Sequence, residues 1–153
     1  MDFMHKAIEE ACHGVQAGDG GPFGAVIARQ RHIVAVGHNM VLLNNDPTAH
    51  AEIIAIRKAC AVLKTYDLSG CVLYTSCYPC PMCMTASLWA RIHVIYYSAT
   101  AQDAAKAGFD DKIFHDFVKD PKSDNIRRLE QLNVPEVLKP FEMWAAKEDK
   151  TIY

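Results

Sequence analysis

Residues 71–99, CVLYTSCYPCPMCMTASLWARIHVIYYSA, change their apolar period twice. CVLYTS shows little alternation and reads as a strand buried on both faces. Pro81 suits a first helical turn, so MCMTASLWAR reads as a helix, and VIYYSA reads as the next buried strand. Upstream, MHKAIEEACHGVQAG sets Met4, Ala7, Ile8, Ala11, Cys12 and Val15 at helical spacing and stops at Gly18. Two β-rich runs follow, about Phe23–Ala28 and His32–Val36, joined by Arg29-Gln30-Arg31 as a hairpin. Asn45-Asp46-Pro47 offers an N-cap and a first-turn proline for a helix through AHAEIIAIRKACAVL. Strands that alternate with helices after a hairpin predict an α/β domain of three layers, a sheet with helices on both faces. Further on, residues 101–118 are mixed, DPKSDN reads as a surface connection, and a short helix runs through Phe141–Trp144.

The 153 residues fit one domain with a real core. Apolar residues make up 50% and charged residues 22%, close to a soluble globular protein, so neither disorder nor a fibrous repeat is suggested. No run approaches the roughly 18 apolar residues of a membrane span and the first residues lack a secretory pattern, so a cytoplasmic protein is expected. A net charge of −2 gives no field to collect nucleic acid or anionic membrane, and small neutral ligands remain.

Six cysteines in such a chain are not expected to form a disulfide framework, because those belong to secreted domains without a core. Cys12, Cys60 and Cys71 lie in apolar stretches and read as buried thiols. Cys77, Cys80 and Cys83 follow one another at spacing three. A redox dithiol is one reading of them. An iron–sulfur cluster needs a fourth thiolate where Ser87 stands, and a structural four-ligand zinc site needs a second Cys-x2–4-Cys pair, which is missing. A zinc site with three protein ligands keeps a fourth position open to water. With Cys80 as N-cap and Pro81 opening the helix, Cys80 and Cys83 share a face, and the helix N-terminus favours their thiolates. His50 stands out among seven histidines because it lies at the other capped helix start, with Glu52 two residues on. Residues two apart on a helix point in different directions, so a metal shared with this pair has to sit at the helix end.

His50-Ala51-Glu52 and Pro79-Cys80-Pro81-Met82-Cys83 match the H-x-E … P-C-x-x-C signature of zinc-dependent nucleobase deaminases. The chain resembles the cytidine deaminase-like superfamily, and within it the small bacterial guanine deaminases. The likeness also rests on GGPFGAVI at 20–27, NDPTAHAE at 45–52, IRKAC at 56–60, YTSC at 74–77, DAAKAGFDD at 103–111 and the terminal tyrosine. It implies a three-layer fold with a mixed five-stranded sheet and a single domain over 1–153. The core covers about 1–117, and a C-terminal segment of about 118–153 helps close the pocket of a homodimer. It implies one catalytic Zn2+ per chain on His50, Cys80 and Cys83, Glu52 as proton shuttle, and Phe23, Asn39, Trp89, Asp111 and Tyr153 near a purine. The implied reaction converts guanine to xanthine and ammonia. One departure is visible: Tyr78 stands where relatives commonly carry Glu.

Read without the resemblance, Asn39 is equally a turn residue, Asp111 a solvated acid, Phe23 and Trp89 core aromatics, and Tyr153 an idle chain end. Other amino-purines, a triazine, cytosine or a nucleoside share the same zinc chemistry. A tRNA adenosine deaminase should carry a basic tail, whereas residues 119–153 hold seven Lys or Arg against seven Asp or Glu. A zinc-stabilised binding scaffold has no need of Glu52.

Overall fold

The computed structural model describes residues 2–153. Helix α1 (Phe3–Ala17) starts at Asp2, whose carboxylate accepts the N–H groups of Met4 and His5, and ends at Gly18 in the left-handed region, φ +74°. A hairpin follows: β1 (Gly24–Arg29) pairs antiparallel with β2 (His32–His38), with Gln30 at positive φ in the turn. After α2 (Val41–Asn44) and α3 (Ala51–Leu63), β3 (Cys71–Cys77) enters antiparallel to β1. Helix α4 (Pro81–Trp89) then returns the chain to β4 (Val94–Ala99), which runs parallel to β3. The sheet is therefore mixed, in the order β2-β1-β3-β4.

The three-layer expectation holds, and two glycines show how tightly the layers meet. A Cβ on Gly24 would lie 2.0 Å from the carbonyl oxygen of Ala7 in α1, and one on Gly37 would lie 2.5 Å from that of Ala51 in α3. Gly37 pairs with Ala25, the neighbour of Gly24, so the two helices cover opposite faces. This contact also corrects the buried stripe of α1. The face against the sheet is Ala7, Ala11 and Gly14, because only small residues fit so close to β1, and Cys12 is exposed rather than buried. The main core lies on the α3 side, where Ala25, Ile27 and Leu73 pack against Ala51, Ala55 and Ala59, extended by Leu68 and Ile92. Each fully buried Ile or Leu contributes about 1.5–3 kcal/mol.

Three expectations change. Helix α3 begins at Ala51 with His50 as N-cap, not at residues 45–47. Asn45 instead ends α2 at φ +48°, and the Asp46 carboxylate is spent on the N–H and hydroxyl of Thr48. The described residues form four strands, not five. With no fifth strand beside it, β4 is an edge strand and mostly exposed, not buried. The chain beyond it forms α5 (Ala101–Lys106), α6 (Lys112–Lys119), a 3-10 turn at Pro121–Ser123 and α7 (Lys139–Ala146), with Phe141 and Met143 exposed. Among the described residues, no helix is long and apolar enough to cross a membrane.

Candidate active site

The ends of β3, α3 and α4 meet at the floor of a cavity of about 1050 Å³. His50 and Cys80 are the N-caps of α3 and α4, both in extended conformation, and neither side chain caps its own helix. Their side chains are therefore free to turn toward each other. Nδ1 of His50 lies 3.5 Å from Sγ of Cys80 and 3.5 Å from Sγ of Cys83. These three donor atoms all lie within 4.8 Å of one another. Tetrahedral zinc, with Zn–S about 2.3 Å and Zn–N about 2.0 Å, holds N and S ligands about 3.5 Å apart, so the trio fits that ion.

The electrostatics agree with a metal-ready pocket. Cys80 takes a hydrogen bond from the Cys83 thiol and faces His50, which brings its pKa down to about 4. Its thiolate, together with burial, keeps Cys83 protonated well above the ordinary thiol range. The Cys80 contact raises His50. Two helix N-termini point at these groups, and their unpaired N–H groups favour negative charge.

Because His50 precedes the helix while Glu52 lies in its first turn, residues two apart face one space after all. Glu52 is buried, lines the cavity, and accepts a hydrogen bond from the Thr75 hydroxyl at 3.0 Å. Burial lifts its carboxyl above the usual glutamate range, against the lowering effect of its hydrogen bonds. Thr75 also reaches the carbonyl of Cys77 at 3.2 Å. Its single proton can serve only one of these two acceptors at a time.

The remaining candidates divide. Phe23, Asn39 and Asp111 line the cavity. Asn39 Oδ1 accepts the N–H groups of Gly21 at 3.3 Å and Val41 at 3.1 Å, which leaves its NH2 group as a donor for a ligand. Phe23 meets Phe109 edge-on, ring centroids 5.0 Å apart. Trp89, 72% exposed at the end of α4, and Tyr153, 69% exposed and packed on Tyr66, do not line it. No residue beyond Val118 does. Cys77 closes β3 as a buried thiol, with Sγ 3.5 Å from the Thr100 carbonyl. Sequence reasoning passed over Thr75, Phe109 and Gly20 as site residues. The first two stood inside the YTSC and AGFDD segments; Gly20 is needed because a Cβ there would sit 2.1 Å from Asn39 Oδ1.

The family described as cytidine and deoxycytidylate deaminase zinc-binding region matches residues 1–99, which include all three donor residues. The chain belongs to that family. A guanine deaminase from Bacillus subtilis (strain 168) is 48% identical over 151 residues, covering 99% of this chain and 97% of its own length. An X-ray structure of guanine deaminase from Bacillus subtilis superposes with a TM-score of 0.95 at 47% identity, covering 100% of this chain and 99% of that one. A tRNA-specific adenosine deaminase from Aquifex aeolicus is 41% identical over only 97 residues, 63% of this chain and 64% of its own. The match to the guanine deaminase thus runs through the C-terminal segment.

Proposed function

We propose that this chain catalyses the hydrolytic deamination of guanine to xanthine and ammonia, with one Zn2+ held by His50, Cys80 and Cys83. The observation that carries the chemistry is the buried Glu52 carboxyl opening onto the cavity beside the three ligand atoms. Zinc, when bound there, supplies Lewis-acid activation that brings the pKa of a water toward about 7. Glu52 takes a proton from the attacking water and delivers it to N3 as the C–O bond forms at C2. It then takes the proton of the new C2 hydroxyl and passes it to the exocyclic amine, so that the C2–N bond breaks to release ammonia and the C2 oxygen becomes the carbonyl of xanthine. A carboxyl whose pKa is raised by burial is suited to holding that proton between steps. Asn39 Nδ2 donates to O6 or N7, Phe23 and Phe109 supply an apolar wall for the ring, and Asp111 accepts a purine N–H.

The near-full-length likeness to a guanine deaminase and the balanced charge of residues 119–153 support a free base over a nucleic-acid substrate. The protein works as a homodimer. In support, β4 is an unpaired edge, and Leu88, Trp89, Phe141 and Met143 are exposed apolar side chains. In this reading the segment of about 118–153, of which only Val118 lines its own cavity, closes the second copy's cavity and brings Tyr153 to it. Six free cysteines accord with the reducing cytoplasm. The test is ammonia release by zinc-loaded protein from guanine, adenosine and cytosine in parallel. Release from guanine alone is expected, and release from either other substrate in preference would overturn the assignment.

A further inference from the structure

Asp111 stands between Gly108, at φ +96°, and α6, as the N-cap residue of that helix without a side-chain cap bond. Its Oδ2 lies 3.2 Å from Nε2 of His115, one turn along α6, and Oδ1 has no partner among the described residues. The neighbouring acids are engaged elsewhere: Asp110 accepts the Lys112 N–H at 3.0 Å, and Asp116 pairs with the Lys112 ammonium. His115 does not stand free. Its ring lies 6.0 Å from that of Tyr78 at 49°, and Tyr78 is in turn braced edge-on by Tyr97 of β4 at 5.1 Å. Tyr78 lines the cavity beside His50 and Cys80.

We propose that His115 is a positioning residue that locks the Asp111 carboxylate with one oxygen toward the purine, and that the Tyr78 ring is the wall that keeps His115 in place. A carboxylate turns readily about its last torsion, and an imidazole N–H held on one oxygen removes that freedom and fixes where the other accepts. Helix α6 is mostly exposed, so the Tyr78–His115 contact also ties it to the loop that carries Cys80. This inference rests on the reading that Asp111 contacts the base.

The experiment uses the full-length zinc-loaded protein with D111N, H115F, H115Q, Y78F, Y78A and the double variant D111N/H115F. Steady-state kcat and KM are measured for guanine, and guanine binding is measured calorimetrically in the E52Q background. His115 and Tyr78 are each more than a third exposed, so these variants are expected to fold, and zinc content and melting temperature check this. H115F should raise KM and weaken guanine binding by roughly five- to tenfold, the loss of about one hydrogen bond, with kcat nearly unchanged. H115Q, whose amide nitrogen can replace Nε2, should restore binding. Y78A should resemble H115F while Y78F resembles the parent, and the double variant should be no worse than D111N alone. Losses that add in the double variant, or an H115F protein with normal KM while D111N is impaired, would overturn the proposal. If D111N itself leaves KM and binding unchanged, the assignment of Asp111 to the base is what breaks.

Discussion

Glu52 carries opposite demands, since burial favours its neutral form while turnover needs it to lose and regain a proton. With its pKa raised in the fold, the folded state keeps a proton that the unfolded chain releases above the ordinary value of 4.5. Stability of the metal-free protein therefore falls as pH rises from that value through the raised pKa, and the full cost remains above it. E52Q removes this cost. Its metal-free melting temperature should exceed the parent's near pH 8, with the difference closing as pH is lowered toward 4.5; a pH-independent difference would contradict the burial argument. The same variant should retain zinc and lose nearly all turnover. Gly20 tests the other side of the site: G20A should displace Asn39 and raise KM for guanine by tenfold or more while zinc content is unchanged. At this scale the sequence was legible where chemistry fixes spacing. His50, Cys80 and Cys83 could be picked out because paired cysteines and a histidine at capped helix starts suit an open three-ligand site, and their donor atoms do come together, whereas the role given to Glu52 came with the H-x-E resemblance. Thr75 and His115 were not picked out, because a hydroxyl or imidazole acting through another residue leaves no periodic trace.

Helix ends and close contacts set the next level. Cys80 is already a thiolate at neutral pH while Cys83 keeps its proton and His50 is shifted toward its charged form. Zinc uptake at pH 7 should therefore release the Cys83 proton and a share of the His50 proton, and none from Cys80. Calorimetry in buffers of different ionisation enthalpy measures this count; release near zero or near three would reject the charge pattern. The contact of α1 with β1 is equally exacting. G24A forces a methyl group into the backbone of Ala7 and Ala11, and should cost more than the ~1–3 kcal/mol of ordinary overpacking, read as a fall in denaturation midpoint. Element identity was largely legible: α1, the hairpin, β3, α4, β4 and α7 follow from apolar period and turn residues. The start of α3 was misplaced because Asn45-Asp46-Pro47 carries the residue types of a cap but uses them in a turn, where Asn45 ends α2 and the Asp46 carboxylate takes the Thr48 N–H and hydroxyl.

For the whole molecule, the four-stranded sheet with an exposed β4 explains why VIYYSA misleads: its apolar composition predicts cover that a single chain does not provide. If a second copy provides it, sedimentation should give a dimer mass, and removal of residues 126–153 should lower turnover while leaving the zinc site loaded. The placement of the metal ligands has a different kind of consequence. His50 and Cys80 occupy the N-caps of two helices without making a cap bond, where Ser, Asp or Asn would each be worth about 1 kcal/mol. On the proposed reading, the chain gives up helix stability at two points for the sake of a metal. Selection for robustness alone, with demand for the reaction removed, would replace both ligands within a few substitutions and leave the apolar core untouched, so a descendant could lose its chemistry while becoming the more durable protein.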